Sequence, residues 1–267
     1  MAYKIVACDF DDTLFANSTR TISAKNREAI DRCEAKGIKF IMATGRPLFS
    51  IRPYYEQLGL KTPLITTGGA EVYDKNYNRI YSSFLNYNDA IALLKHAKRL
   101  GVHAHIYSGD RFCYEKDSPI VDVYRRHTGM QGMLVPDLLA LSPEELKTPK
   151  LLMMADPEKI NVIQKEFAEE YPHLNVVKSL SSFVEFYDKK TSKGEALKFL
   201  MAHMGYSMDE TVAAGDTQID ISMLKAAGLS AAPANAMSDV LSAVDIILND
   251  CEHDCIAQLL NEYVFEG

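Results

Sequence analysis

Three carboxylates follow directly on an apolar segment near the start of the chain. In the stretch VACDFDDTLF, Asp9, Asp11 and Asp12 come after the apolar run 5–8. Carboxylates this close together resist joint ionisation, and the end of a buried strand hydrates them poorly. A bound divalent cation would resolve this conflict. The spacing therefore predicts a metal site at the end of a buried strand.

Polar residues also follow two other segments that the apolar pattern predicts to be strands. Thr44 ends the segment IKFIMAT and Gly45 follows it. Asp216 comes after TVAAG, with Asp220 four residues further on. In an open parallel sheet, ligands bind beyond the carboxyl ends of the strands. Each of these residues alone is an ordinary turn or cap residue. Their joint placement on three strand ends predicts that they converge with Asp9 in one site.

A lysine at the start of a predicted helix supports this hypothesis. In DKKTSKGEALKFL, Thr191 or Ser192 is the expected N-cap, which places Lys193 in the first helical turn. A cation there opposes the helix dipole at a cost of roughly 0.3–1 kcal/mol. A solvated lysine is one interpretation. An anion held jointly by Lys193 and the helix N-terminus is the more economical one.

The elements that must position these residues alternate between strand and helix at both ends of the chain. This alternation predicts a parallel sheet with helices on both faces. The middle differs, because strand-like runs come in pairs there, among them VHAHIY and RFCYEK across a turn at Ser108-Gly109-Asp110. We therefore expect a second, α+β domain at residues 83–188, inserted into a first domain formed by 1–82 and 189–267.

Composition excludes several classes of protein. The 267 residues carry a formal net charge of −7 and are 47% hydrophobic, which predicts neither a nucleic-acid partner nor a membrane association. The acidic residues near the start interrupt any signal peptide. The five cysteines are scattered and odd in number, which favours reduced thiols. We therefore expect a cytoplasmic protein.

The last segment, CEHDCIAQLLNEYV, raises the alternative of a zinc site. Cys251, His253 and Cys255 offer ligands, but the spacing is not that of a C-x-x-C knuckle and no second cysteine pair exists. The apolar spacing instead predicts one last helix that carries Cys251 and Cys255 four residues apart on a buried face.

The motifs taken together resemble those of a known enzyme superfamily. DFDDTL, ATGR, SKGEAL and GDTQIDISML, in this order, are similar to the four motifs of the haloacid dehalogenase-like (HAD) phosphohydrolases. The large insertion, PLITTGGAEVYD and GLSAAPANA resemble the Cof-type branch of this superfamily. The resemblance implies an α/β fold, with a Rossmann-like doubly wound core and a mobile cap that determines substrate specificity. It also implies Mg²⁺ and phosphoryl transfer through an aspartyl-phosphate.

The resemblance also assigns roles to individual positions, with Asp9 as nucleophile and Asp11 as general acid and base. The implied catalytic residues are Asp9, Asp11 and Lys193. The implied phosphate-binding residues are Thr44, Gly45 and Lys193. The implied metal ligands are Asp9, Asp11 through its backbone carbonyl, Asp216 and Asp220.

The leading functional hypothesis is a Mg²⁺-dependent phosphatase of small phosphorylated metabolites, such as sugar phosphates or related monoesters. A phosphotransferase or phosphomutase would use the same intermediate and remains an alternative. A catalytically weak phosphometabolite-binding protein is a third hypothesis, because Gly68 and Ile219 stand where the branch usually has Asn. The sequence leaves the physiological substrate and the oligomeric state open.

Overall fold

A computed structural model describes residues 3–109 and 111–265 as two compact units. The core unit takes its described residues from 3–45, 51–81 and 192–265. The second unit consists of Arg46–Ser50 and Ser82–Thr191. The chain thus leaves the core unit and returns to it, and the motif residues outside the second unit come from both ends of the sequence.

The described elements are short strands and helices in alternation. The strands are β1 (Ile5–Cys8), β2 (Lys39–Met42), β3 (Leu64–Thr66), β4 (Glu71–Tyr73), β5 (Arg79–Ser82), β6 (His103–Ser108), β7 (Arg111–Tyr114), β8 (Gln131–Leu134), β9 (Leu151–Met154), β10 (Leu174–Leu180), β11 (Phe183–Asp188), β12 (Thr211–Ala214), β13 (Leu229–Pro233) and β14 (Ile246–Leu248). The helices are α1 (Ala24–Ala35), α2 (Leu48–Gln57), α3 (Tyr87–Leu100), α4 (Pro119–Thr128), α5 (Pro157–Glu170), α6 (Lys193–Met204), α7 (Ile221–Leu224), α8 (Ser238–Leu241) and α9 (Cys255–Leu259).

The core unit is built on a five-stranded parallel sheet in the order β14-β13-β12-β1-β2. Every residue of β1 is buried, which explains why its sequence is continuously apolar rather than alternating. Residues of α6, α7 and α8 share one apolar cluster with β1 and β12, while α1 contacts β2 and α9 contacts β14. The predicted fold class, an α/β protein with a parallel-sheet core, is confirmed.

Helices of the core begin and end at capping residues that the sequence predicts. Ser23 accepts a hydrogen bond from the Asn26 amide and caps α1, and Gly37 follows its end with a φ of 75°. Ser192, rather than Thr191, caps α6 by accepting from the Glu195 amide. Lys193 is therefore the first residue of α6, as predicted.

The second unit contains a six-stranded sheet in the order β10-β11-β9-β6-β7-β8. Its pairs are antiparallel except for β7 with β8. One apolar cluster includes residues of α3 and α5. A second, aromatic cluster includes Val121 and Tyr124 of α4. The predicted hairpin is present as β6 and β7, although Asp110 of its turn lies outside the described residues.

The prediction of one continuous last helix is wrong. Cys251–His253 form a short 3₁₀ turn, Asp254 takes a left-handed conformation with a φ of 60°, and α9 begins only at Cys255. The Asp250 carboxylate caps the turn by accepting from the Glu252 amide. A left-handed residue ends regular α-helix, so Cys251 and Cys255 do not share one helical face.

The helices are short compared with what a bilayer requires. Helices α3 and α5 have 14 residues each, whereas crossing the hydrocarbon core takes about 20. Within the described ranges, no helix combines the length and the apolar character needed to span a membrane.

A chain of hydrogen-bonded polar groups runs along β6 of the second unit to α4, partly buried at His103 and buried from His105 onward. His103 and His105 are hydrogen-bonded through their rings at 3.0 Å, and His105 is bonded to the Tyr107 hydroxyl at 3.3 Å. The Tyr107 hydroxyl is in turn bonded to that of Tyr124. Burial lowers the pKa of His103 to about 4 and that of His105 well below its usual value. Both rings are therefore neutral at pH 7.

These hydrogen-bonded histidines should make the free energy of unfolding depend on pH below pH 7. The unfolded chain binds a proton at His103 below pH about 6.5, whereas the folded chain binds it only near pH 4. Lowering the pH from 7 to 5 should therefore lower the free energy of unfolding by about 2 kcal/mol through this group. In urea unfolding, the variant His103→Gln should lose that part of the pH dependence.

The exposed histidine His203 on α6 provides the matched control for this prediction. His203→Gln should keep the full pH dependence of the native chain. If His103→Gln shows the same decrease between pH 7 and pH 5 as the native chain, His103 is not a buried neutral group.

Candidate active site

Asp9 and Lys193 meet at the carboxyl edge of the core sheet. The Asp9 amide donates to the Ala214 carbonyl at 2.8 Å and so continues the pairing of β1 with β12. Lys193 is fully buried although it carries an ammonium group. This ammonium donates a hydrogen bond to the Asp9 carboxylate. The lysine at the start of α6 is therefore held by a carboxylate, which offsets the cost of placing a cation at a helix N-terminus.

Asp220 holds the other side of Lys193. Its Oδ1 accepts from the Lys193 ammonium at 2.5 Å. Its Oδ2 accepts from the amides of Asp216 and Thr217, at 3.2 and 2.9 Å, and from the Thr217 hydroxyl at 3.0 Å. Both oxygens of this fully buried residue are thus bonded to donors of the protein. This supports a role in orienting Lys193 and the turn that carries Asp216, while direct metal ligation by Asp220 stays a prediction.

Asp216 follows β12 and completes the cluster of carboxylates. The buried Thr13 hydroxyl donates to its Oδ1 at 2.9 Å, which links the loop after β1 to the loop after β12. Asp9, Asp216 and Asp220 each place one carboxylate oxygen within 4.8 Å of the others. Three of the predicted metal ligands are therefore brought together from two strand ends.

The remaining predicted residues lie at the same edge of the sheet. Asp11 is close enough to Asp9 to raise its pKa, and it is partly exposed, unlike Asp9. Thr44 is buried at the end of β2, and its carbonyl accepts from the Gly68 amide at 3.0 Å. Gly45 lies beside the turn that bears Asp216, because a methyl group added to it would come 3.4 Å from Ile219 Cδ1.

The cluster of Asp9, Asp216 and Asp220 places several carboxylates where burial disfavours their charged forms. Burial raises the pKa of Asp9 well above its ordinary value, and Asp220, Asp216 and Asp11 add to this against the opposing effect of Lys193. Burial and Asp220 raise the pKa of Asp216 to about 7. Burial alone would lower the pKa of Lys193, but Asp220 and Asp9 raise it above its usual value. Lys193 therefore stays charged, while the raised pKa values of Asp9 and Asp216 oppose their ionisation.

A hard divalent cation fits this donor set. Carboxylate and carbonyl oxygens are the ligands that Mg²⁺ prefers, and soft ligands are absent from the three-carboxylate cluster. A cation between Asp9 and Asp216 would favour their ionised forms and so remove the electrostatic conflict. The residues present therefore fit a magnesium ion held by Asp9 and Asp216.

Some contributors to the site carry weaker signals in the sequence. Thr217 donates twice to Asp220, yet a threonine before a helix is an ordinary cap. Gly215 allows the Asp220 side chain to pack against its backbone. A Cβ added to Gly215 would come within 2.5 Å of the Asp220 Cβ. The glycine directly before Asp216 was the available signal for this close approach.

Removing the ammonium of Lys193 should destabilise the metal-free protein. In Lys193→Met, Asp9 and Asp220 would be buried carboxylates without their cation, and such changes cost about 3–5 kcal/mol. Urea unfolding in the presence of a chelator measures the loss. The control is Lys198→Met in the same helix, whose ammonium pairs with Glu195 at 2.7 Å with both side chains 53% exposed. The control should lose less than about 1 kcal/mol; equal losses would contradict the assignment.

Comparison with known proteins identifies the family to which the chain belongs. The family model for haloacid dehalogenase-like hydrolases matches residues 6–260. A putative phosphatase of Haemophilus influenzae is 30% identical over 267 residues, covering 98% of each chain. A pyridoxal phosphate phosphatase of Escherichia coli is 28% identical, covering 99% of this chain and 100% of that one.

A solved structure agrees with these relatives. The crystal structure of a haloacid dehalogenase-like hydrolase from Bacteroides thetaiotaomicron superposes with a TM-score of 0.85 at 27% identity, over 97% of this chain and 98% of that one. The predicted enzyme class, a phosphatase, is confirmed by the relatives. The chain belongs to the haloacid dehalogenase-like hydrolase family.

Proposed function

We propose that the enzyme hydrolyses small phosphorylated metabolites in a Mg²⁺-dependent reaction through a phosphoaspartate on Asp9. The observation that carries this proposal is the buried contact of Lys193 with Asp9 inside a cluster of carboxylates. A site that only binds phosphate gains nothing from a carboxylate facing the anion, because the two repel each other. A carboxylate held there by a lysine suits nucleophilic attack on phosphorus.

Asp9 is the proposed nucleophile. One of its oxygens forms a bond to phosphorus while the bond from phosphorus to the ester oxygen breaks. This needs an ionised carboxylate beside a phosphate dianion, and the ammonium of Lys193 offsets the repulsion between them. Asp220 keeps that ammonium directed at Asp9. The buried surroundings strengthen these electrostatic interactions.

Asp11 is the proposed general acid and base. It would give its proton to the leaving ester oxygen and then take a proton from the water that attacks the phosphoaspartate. Asp9 is 5% exposed and bonded to Lys193, whereas Asp11 is partly exposed. Two carboxylates in different surroundings can divide these roles.

The phosphate position is proposed to lie beside Thr44, Gly45 and Lys193. The N-terminus of a helix favours an anion, and Lys193 is the first residue of α6. Thr44 and Gly45 follow β2, the strand next to β1, so both lie at the neighbouring strand end. Together these groups would orient the phosphoryl group toward Asp9.

A magnesium ion is proposed to be held by Asp9, Asp216 and the Asp11 carbonyl. When bound, it would offset the negative charge of the phosphoryl group and of the carboxylates. Asp216 is kept in place for this by the Thr13 hydroxyl. The charge conflict at Asp9 and Asp216 supports the assignment.

The proposed substrates are phosphate monoesters of small metabolites, as in the E. coli relative named for pyridoxal phosphate. The second unit, predicted as the cap at residues 83–188, is the proposed source of substrate selection. The transferase alternative differs only in the acceptor, so it predicts less inorganic phosphate than alcohol released. The hypothesis of a binding protein is disfavoured, because a protein that only binds the metabolite gains little from a nucleophile and a proton donor such as the pair Asp9 and Asp11.

Replacing the nucleophile should abolish turnover. The assay measures the release of both phosphate and alcohol, with Mg²⁺ and with a chelator. The substrates tested are a panel of sugar phosphates, pyridoxal 5′-phosphate and an aryl phosphate. Asp9→Asn should lose at least about a thousandfold in kcat, because covalent catalysis ends with the carboxylate. The control Asp31→Asn, at an exposed position on α1, should keep native turnover. Metal-independent turnover, or turnover retained in Asp9→Asn, would contradict the proposal.

The covalent intermediate makes a separate stereochemical prediction. Two successive in-line displacements at phosphorus, first by Asp9 and then by water, restore the original configuration. Hydrolysis of a phosphorothioate monoester that carries two oxygen isotopes on phosphorus, in water of the third isotope, should therefore give chiral inorganic thiophosphate with retention. Inversion would show direct attack by water and would exclude the phosphoaspartate while leaving a phosphatase in place.

A further inference from the structure

Asn235 ties together three loops at the carboxyl edge of the core sheet. It lies just after β13, and its Nδ2 donates to the Asp12 carbonyl at 2.9 Å. Its Oδ1 accepts from the Cys251 amide at 2.8 Å, in the segment after β14. Two residues later, the Met237 amide donates to the Asp216 carbonyl at 2.9 Å. The loop after β13 is therefore fastened to both segments that bear the proposed metal ligands.

The bond to Asp12 matters because Asp12 has a conformation that L residues seldom take. Its φ is 54°, in the left-handed region. The Asp12 amide donates to the Phe15 carbonyl at 2.8 Å, and the Asp12 carbonyl accepts from Asn235. Both peptide groups that flank Asp12 are thus held by hydrogen bonds.

Fixing these peptide groups also fixes the carbonyl of Asp11. The Asp11 carbonyl and the Asp12 amide belong to one planar, trans peptide group. When the amide points toward Phe15, the carbonyl must point the opposite way. If Asp12 were released from Asn235, its backbone could relax from the left-handed region and turn the Asp11 carbonyl with it.

We propose that Asn235 is a positioning residue that sets the affinity for Mg²⁺ by holding the Asp12 backbone, and with it the Asp11 carbonyl, in place. The inference rests on the proposed function, which makes the Asp11 carbonyl a metal ligand. Mg²⁺ tolerates little departure from octahedral geometry, so a small rotation of one ligand weakens binding. Residues that orient metal ligands typically change affinity by 10- to 100-fold when they are replaced.

Calorimetric titration of Mg²⁺ into the substrate-free protein tests the inference without turnover. Asn235→Ala should raise the dissociation constant about tenfold. The matched control is Asn249→Ala, an exposed asparagine in the next loop whose Nδ2 donates to the His253 carbonyl at 3.3 Å. The control should stay within about twofold of the native protein. The midpoint of thermal unfolding in chelator should fall by no more than a few degrees in either variant, since Asn235→Ala loses two side-chain hydrogen bonds and Asn249→Ala one, both at exposed positions.

A second variant separates positioning from charge. Asn235→Asp keeps an acceptor for the Cys251 amide but presents a carboxylate to the Asp12 carbonyl, which repels it. The inference predicts weaker Mg²⁺ binding in this variant too, although an added negative charge alone would strengthen it. In turnover, both variants should need more Mg²⁺ for half-maximal rate and should approach native kcat at saturation.

The outcomes distinguish this inference from the proposed function. Native affinity in Asn235→Ala, or tighter binding in Asn235→Asp, would overturn the positioning role while leaving the metal site intact. A native protein that binds no Mg²⁺, or an Asp216→Asn variant that binds it equally well, would overturn the proposed metal site itself.

Discussion

The buried ion pairs of Lys193 with Asp9 and Asp220 are the interaction on which the rest of the site depends. The fully buried Lys193 ammonium is paired with two buried carboxylates, and removing one partner of such a pair leaves an uncompensated buried charge. Each partner sits on a different segment, so the pairs fix the start of α6 relative to β1 and β12. A phosphoryl site needs the same fixed distances.

The parallel sheet solves the problem of bringing distant residues together. Its strand ends deliver Asp9 and Asp216 to one edge, and side chains and backbone groups from the adjoining loops then hold them. Thr13 links the first loop to the second, and Asn235 links the loop after β13 to the first. The site is therefore a set of mutually tied loops on a rigid sheet, which suits catalysis that depends on positioning.

Much of this arrangement was predictable because it depends on local patterns. Continuous apolar runs indicate buried parallel strands, and Ser192 before Lys193 marks a helix start. The break at Asp254 was not predictable in this way, because the apolar spacing continues across it. The proposed role of Asn235 could not be predicted from the sequence either. An exposed asparagine in a loop becomes informative only when its two hydrogen-bond partners are known.

The central claim is that the carboxylates of Asp9 and Asp216 at the strand ends bind a divalent cation. The most direct measurement is X-ray diffraction from crystals grown with Mn²⁺, which substitutes for Mg²⁺ and scatters anomalously. The account predicts an anomalous peak within ligand distance of Asp9 and Asp216, with Asp220 still bonded to Lys193. A peak elsewhere, or none at saturating Mn²⁺, would contradict it.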